Sequence, residues 1–136
     1  MCILIYNKYQ SGSKKTTLFM IYKLFLDDIR EVKQVHPLAN LNEWIVVKNY
    51  NEFVNCINTN GMPIFLSLDH DLAEEHYGAN PRSEFKEKTG YHCAKWLIEK
   101  CMDEDTSFPH YVVHSMNPVG KMNITSLVEN FRNTIK

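Results

Sequence analysis

Four short apolar runs of strand length divide the chain, and each of them ends in polar or ionisable side chains. The runs cover residues 21–26, 44–48, 64–68 and 111–114. After the last three runs, apolar residues recur at helical spacing, which predicts helices over residues 51–60, 90–100 and 123–134. Short apolar runs bounded by charge are typical of strands that are buried on both faces of a parallel sheet. The alternation of strands and helices therefore predicts an α/β fold with a parallel sheet.

The polar residues between these runs predict where the elements begin and end. Asn51 is a candidate N-cap, and residues 118–120 predict a turn before the last helix. Residues 31–42 contain Pro37 and predict irregular structure or a broken helix. Residues 71–89 predict a long polar loop, and loops of that length in compact domains are usually functional or mobile.

The first 19 residues fit this alternation poorly. Residues 3–6 could form a short strand, but residues 10–17 have the composition of a polar linker. We therefore expect an N-terminal extension over residues 1–19 and a folded domain over residues 20–136. A fifth strand of the sheet would have to come from the extension.

Composition narrows the classes of partner. The net charge of −1 gives no global basic field, so neither duplex DNA nor an anionic membrane surface is expected as a partner. No run reaches the roughly 18–20 apolar residues that a membrane-spanning helix needs. The four cysteines form neither a CxxC pair nor a disulfide framework, which favours a reducing, cytoplasmic location. Nothing in the pattern specifies an oligomeric state.

Carboxylates gather where two of the strands end. Asp27 and Asp28 follow the first run, and Asp69 and Asp71 follow the third. The first and third strands can be neighbours in a doubly wound sheet, whose ligands bind beyond the carboxyl ends of the strands. Clustered carboxylates repel one another unless one is protonated or a cation lies between them. The pattern indicates a divalent cation site, for Mg²⁺ or Mn²⁺, to which Asp27, Asp28 and Asp69 would contribute.

Two histidines also follow strands. His70 and His114 are candidates for proton transfer near neutral pH, together with Asp69 and Asp71, although histidine and aspartate could equally bind a transition metal. Cations, amides and hydroxyls that could bind a phosphate oxygen lie close to these strand ends in the sequence. They are Arg30, Ser115, Asn117 and Lys121. The remaining histidines lack such a setting and are expected to be structural: His36, His76, His92 and His110.

Four short motifs, taken together, resemble the cyclic-phosphate-processing receiver family, a divergent branch of the response-regulator receiver fold. They are Leu26-Asp-Asp-Ile-Arg30, Ser67-Leu-Asp-His-Asp-Leu72, Thr89-Gly-Tyr91 and His114-Ser-Met-Asn-Pro118. The resemblance implies a receiver-like (flavodoxin-like) three-layer fold with a mainly parallel sheet of four or five strands.

The resemblance also suggests roles for individual residues. Asp27 and Asp28 match the acid pair of a receiver, Asp69 its phosphoacceptor, and Ser115 lies near its hydroxyl position. Lys121 would have to replace the lysine that a signalling receiver carries after a fifth strand. His70 and His114 have no counterpart in a signalling receiver, and they fit the family's implied activity on cyclic phosphates.

Two functional hypotheses follow. In the first, the protein is a phosphoesterase that opens the cyclic phosphate of a nucleotide or an RNA end, with the histidines and aspartates as acid and base. Whether that phosphate is 2′,3′- or 3′,5′-cyclic, and which histidine is the base, stays open. In the second, the protein is a non-enzymatic receiver-like module that binds a partner or is phosphorylated on Asp69.

Overall fold

The computed structural model describes residues 3–6, 18–72 and 88–134, which form two sheets and the helices that flank them. In chain order the elements are β1 (Ile3–Tyr6), β2 (Leu18–Ile21), β3 (Lys23–Leu26), α1 (Val32–Val35), a 3-10 helix (Leu41–Glu43), β4 (Trp44–Val47), α2 (Tyr50–Asn60), β5 (Phe65–Leu68), α3 (Gly90–Glu104), β6 (His110–Val113) and α4 (Pro118–Thr134).

The main sheet has four parallel strands in the order β4-β3-β5-β6. Its central strands are therefore the first and third apolar runs, as the sequence predicts for a doubly wound sheet. Leu26 pairs with Leu68, which pairs with Val113, so the three strands end level with one another. With helices flanking this sheet, the receiver-like α/β fold predicted from the sequence is confirmed.

The hydrophobic core lies on one face of this sheet, against α2, α3 and α4. Leu24 and Leu26 of β3 and Leu66 and Leu68 of β5 are completely buried in it. Burying one such side chain contributes roughly 1.5–3 kcal/mol, so this face dominates the stability of the sheet. The alternate residues of the same strands, including Phe25 and Ser67, point to the opposite face, part of which is covered by the segment containing α1.

The N-terminal residues form a separate hairpin. β1 pairs with β2 in antiparallel fashion, with Ile3 opposite Ile21, and neither strand joins the four-stranded sheet. Within the described residues, β1 and β2 pair with each other and not with the main sheet. The extension therefore adds no fifth strand to that sheet. The proposed domain boundary between residues 19 and 20 falls inside β2, and that division stays a prediction.

Two helix starts differ from those predicted. The N-cap of α2 is Asn49, whose side chain accepts a hydrogen bond from the Glu52 N–H at 2.8 Å, so the prediction of Asn51 is wrong by two residues. The predicted turn at residues 118–120 is instead the first turn of α4, where proline is favoured. Asn117 takes the capping role, because its Oδ1 accepts from the Gly120 N–H at 3.0 Å.

The other element predictions hold more closely. α1 and the 3-10 helix are the broken helix expected over residues 31–42, and α3 extends four residues beyond the predicted end at residue 100. The predicted polar loop lies largely outside the described residues, as does His76. None of the described helices combines the length and the apolar character that crossing a membrane requires.

Candidate active site

Asp27, Asp69 and His114 lie side by side at the carboxyl edge of the main sheet. Their backbone N–H groups extend the pattern of strand pairing by one residue: Asp27 donates to Val47 O, Asp69 to Leu26 O, and His114 to Leu68 O. One side-chain ligand atom from each of the three residues lies within 4.8 Å of the others. The strand ends were expected to bring these three residues together with His70, and the structure places the three in one cluster.

Asp27 is buried, and both of its carboxylate oxygens are fully engaged. Oδ1 accepts hydrogen bonds from the N–H groups of Ile29 and Arg30 at 2.9 and 2.8 Å. Oδ2 accepts from Arg30 Nη1 and from His114 Nε2, both at 2.9 Å. Burial alone would raise the pKa of Asp27, but the hydrogen bonds from Arg30, Ile29 and His114 outweigh it and lower the pKa. Asp27 is therefore ionised at neutral pH.

Asp69 is also buried, but its environment shifts its pKa in the opposite direction. Burial, followed by repulsion from the Asp27 carboxylate, raises the pKa of Asp69, although the positive charge of Arg30 opposes this. Arg30 Nη1 lies 3.5 Å from Asp69 Oδ2, so one guanidinium contacts both acids. Pairs of carboxyl groups whose pKa values are pushed apart are typical of acid–base sites.

His114 has a hydrogen-bond partner on each ring nitrogen. Its Nε2 must donate to Asp27, because an ionised carboxylate can only accept. Burial lowers the pKa of His114 despite the neighbouring Asp27, so the ring is neutral and its Nδ1 is an acceptor. That Nδ1 lies 2.7 Å from Ser67 Oγ, which therefore donates to it. The ring also stacks on Phe25, with the centroids 4.8 Å apart.

Ser67 and His36 continue this chain of hydrogen bonds, and neither was singled out for function by the sequence. Ser67 is completely buried, and its Oγ lies 2.8 Å from His36 Nε2. Because the Ser67 hydroxyl donates to His114, His36 Nε2 must donate to Ser67. His36 was predicted to be a structural histidine, and it stacks on Trp44 with the ring centroids 5.1 Å apart. The four groups form one directed chain: His36, Ser67, His114 and Asp27.

His70 lies at the same edge, in a different arrangement. Its Nδ1 lies 2.7 Å from Asp71 Oδ1, so it donates its proton to that carboxylate. Asn117 Nδ2 lies 3.3 and 3.4 Å from the two Asp71 oxygens. Among the described residues no hydrogen bond is made by His70 Nε2, and 16% of the side chain is exposed. The arrangement is that of an imidazole oriented by a carboxylate.

Two glycines allow the helices to approach this loop closely. A Cβ atom at Gly120 would lie 2.3 Å from His70 Cγ, so the first turn of α4 fits against the imidazole only because residue 120 has no side chain. A Cβ atom at Gly90 would lie 1.9 Å from the backbone oxygen of Asp69, and the Gly90 N–H donates to His70 O at 2.8 Å. The motif Thr89-Gly90 therefore fixes the backbone of the candidate site.

The other residues that the sequence predicted for the site differ in their burial and in their contacts. Ser115 is half-buried, and its hydroxyl interacts with Asp69 and accepts the Asn117 N–H at 3.0 Å. Asp28 is half-buried, interacts electrostatically with Arg30 and lies outside the cluster of Asp27, Asp69 and His114. Lys121 is exposed on α4, and no contact between its amine and the other site residues is found in the described part of the chain.

Asp27, Asp69 and His114 could hold a metal ion. Two carboxylates and one imidazole form a donor set that suits a divalent metal. The guanidinium of Arg30 already lies against both carboxylates, however, and His114 Nε2 donates to Asp27. Metal binding would therefore require Arg30 to withdraw and His114 to give up its proton at Nε2.

Comparison with known proteins identifies the family. A family model described as the cyclic-phosphate processing receiver domain matches residues 22–130, which span β3 to the last turns of α4. No curated protein and no solved structure matches the chain at a significant level. The match covers most of the sequence and includes every residue of the cluster and the hydrogen-bonded chain described above. The chain therefore belongs to the family of cyclic-phosphate processing receiver domains.

Proposed function

We propose that the protein is a phosphoesterase that opens the cyclic phosphate of a nucleotide or of an RNA end. The observation that carries this proposal is the arrangement of His70, whose Nδ1 is bonded to Asp71 while no described residue bonds to its Nε2. A carboxylate that orients one ring nitrogen is the usual partner of a histidine acting as a general base.

In the proposed reaction, a water molecule attacks the phosphorus atom of the cyclic ester. His70 Nε2 takes a proton from the water as the new P–O bond forms and one ester P–O bond breaks. A second group must then protonate the leaving ribose oxygen, so that the product is a phosphate monoester with a free hydroxyl. Positioned groups of this kind each accelerate proton transfer by roughly 10²–10⁴-fold.

Asp69 is the proposed acid for the leaving oxygen. Because its pKa is raised, Asp69 is protonated more readily than a typical aspartate. Asp69 also directly precedes His70 in the chain. Arg30, which contacts Asp69, supplies the positive charge that would stabilise the phosphate as its negative charge develops. Ser115 and Asn117 lie beside these groups and are proposed to bind phosphate oxygens, and exposed Lys121 would attract the anion.

His114 receives a positioning role in this proposal. Both of its nitrogens are bonded inside the protein, so a direct proton transfer to substrate would require one of these bonds to break. It fixes the orientation of Asp27, which in turn holds Arg30 against Asp69.

A divalent cation, Mg²⁺ or Mn²⁺, is proposed as an optional component. Asp27, Asp69 and His114 would hold it if Arg30 withdrew, with Asp28 nearby. Bound there, it would polarise a phosphoryl oxygen in place of the guanidinium.

The test is an assay of the purified protein against 2′,3′- and 3′,5′-cyclic nucleotides, with and without chelator. We expect turnover of at least one class and a loss of about 10²-fold or more in His70→Gln, which cannot act as a base. An active His70→Gln variant with unchanged kcat would refute the assignment of the base. Activity that resists chelator would show that Arg30 suffices without metal.

The competing proposal is a receiver-like module that is phosphorylated on Asp69 and has no turnover. Asp69 at the end of β5, beside Asp27, supports it. Incubation with acetyl phosphate would then give a stable acyl phosphate, which Asp69→Asn would lack. A cytoplasmic location is proposed for either activity, because the four cysteines form neither a CxxC pair nor a disulfide framework in the sequence.

A further inference from the structure

A cleft of about 640 Å³ opens between the start of α3 and the outer face of α4, next to the candidate active site. Its size is within the range of pockets that bind small organic ligands, roughly 300–1,000 Å³. The residues that line it include His70, Tyr91, His92, Asn123, Ser126 and Asn130. None of them belongs to the buried cluster of Asp27, Asp69 and His114.

The chemistry of this cleft differs from that of a phosphate site. Among its described lining residues there is no lysine, arginine, aspartate or glutamate. His92 adds no positive charge, because its Nδ1 accepts the Thr89 N–H at 3.0 Å, which requires that nitrogen to be unprotonated. The lining instead offers aromatic rings from α3 and amide and hydroxyl groups from α4. Rings that stack and amides that both donate and accept suit an uncharged heterocycle.

His70 joins the cleft to the proposed chemistry, because the same imidazole lines the cleft and bonds to Asp71. A substrate with its phosphate at His70 would extend directly into the cleft. We propose that the cleft binds the nucleobase of a nucleoside cyclic phosphate, with Asn123 and Asn130 bonding the base and Tyr91 packing against it. The proposal rests on the proposed function, and it makes the nucleoside, rather than the cyclic phosphate alone, the recognised part of the substrate.

The experiment compares two substrates that share a five-membered cyclic phosphate. One is a nucleoside 2′,3′-cyclic phosphate, and the other is glycerol 1,2-cyclic phosphate, which has no base. The variants are Asn123→Ala and Asn130→Ala, with Asn133→Ala as the control, since it is exposed on the same helix but does not line the cleft. Alanine favours a helix, so the variants should fold.

We expect each cleft variant to lower kcat/KM for the nucleoside substrate by about 2- to 12-fold, the effect of one lost hydrogen bond, mainly through KM. The parent should turn over glycerol cyclic phosphate less efficiently than the nucleoside substrate, and all variants should turn it over as efficiently as the parent does. Asn133→Ala should match the parent on both substrates. If the parent opens both substrates equally and the cleft variants do not differ from it, the cleft proposal is overturned while the phosphoesterase proposal stands.

Binding separates the two proposals if the parent opens neither substrate. Adenosine 3′-monophosphate is then titrated into the ¹⁵N-labelled protein. Chemical-shift changes at Tyr91 and Asn123 that are weakened in Asn130→Ala, but not in Asn133→Ala, would support the cleft as a nucleoside site without the enzymatic activity. The absence of binding would overturn the cleft proposal as well.

Discussion

Replacing Ser67 with alanine tests whether the buried chain of hydrogen bonds matters. The substitution removes one hydroxyl from the interior of β5, where Ser67 is completely buried. It deletes the bond donated to His114 Nδ1 at 2.7 Å and the bond accepted from His36 Nε2 at 2.8 Å. Because Ser67 is at the centre of the chain, no other single substitution separates His36 from His114 with so small a change in volume.

The magnitude depends on which partner can find water instead. The His36 ring is half-buried at the edge of the sheet and can hydrogen-bond to solvent, so loss of its bond costs about 0.5 kcal/mol, the low end for a net hydrogen bond. The His114 side chain is only 5% exposed, and its Nδ1 would remain an unsatisfied acceptor. Leaving such a buried group unpaired costs about 1–3 kcal/mol, so we expect the free energy of unfolding to fall by that amount.

Urea unfolding of the parent and of Ser67→Ala measures this loss, and the exposed Ser107→Ala serves as a control that should change stability by less than about 0.5 kcal/mol. A double-mutant cycle of Ser67→Ala with His36→Ala should show coupling of about 0.5 kcal/mol or more, because both substitutions remove the same bond. Ser67→Ala with the stability of the parent, or a cycle without coupling, would refute the directed chain.

Three further outcomes follow from the site. Gly120→Ala should lower turnover by about tenfold or more, because its Cβ would lie 2.3 Å from His70 Cγ and must displace the ring; parent-like kcat would contradict this packing. Millimolar Mg²⁺ or Mn²⁺ should raise the melting temperature of the protein. Arg30→Met should enlarge this rise, because the guanidinium no longer lies against the two carboxylates. A smaller rise in the variant would argue against a metal site there. Burial lowers the pKa values of His36 and His114 from 6.5 in the folded protein. As the pH falls through that value, the unfolded chain therefore binds more protons than the folded chain. The free energy of unfolding should decrease from about pH 6.5 downward. Urea titrations across this range test the last expectation, and the decrease should be smaller in His36→Gln.

Much of the fold and part of the site could be predicted because they depend on patterns along the chain. The apolar runs predict all four strands of the main sheet to within two residues, and the parallel order places β3 beside β5. Asp27, Asp69 and His114 each follow a strand directly, so level strand ends bring them together. His70 is the next residue along the chain after Asp69, so its location at the same edge was predictable for the same reason.

The helix start at Pro118 could have been recognised from its local signals. An asparagine followed by proline is a typical N-cap and first helical position, and Asn117 does cap α4. The glycine at position 120 made the segment resemble a turn. Its actual requirement is the close approach of His70, a residue 50 positions earlier in the chain, and no local pattern reveals such a contact.

The polar partners of the site were less predictable because they depend on packing between distant segments. Ser67 lies in an apolar strand, where a small hydroxyl usually has a local partner. His36 belongs to an irregular segment whose position over the sheet is set by stacking on Trp44. A serine in a strand acquires a role only when imidazoles approach it from two sides, which the sequence alone does not show.

The two histidines at the strand ends are chemically similar in the sequence but have opposite environments in the structure. His114 is enclosed, with both nitrogens bonded to Ser67 and Asp27, so its protons are fixed by its neighbours. Within the described ranges, the His70 side chain is bonded at Nδ1 alone, to a carboxylate that solvent reaches. The bonds of His114 hold Asp27, and through it Arg30, at the place where a signalling receiver would be expected to hold a cation. A buried pair of acids is therefore already neutralised in part by a side chain, and the imidazole that we propose as the base lies at the rim of the site rather than at its centre.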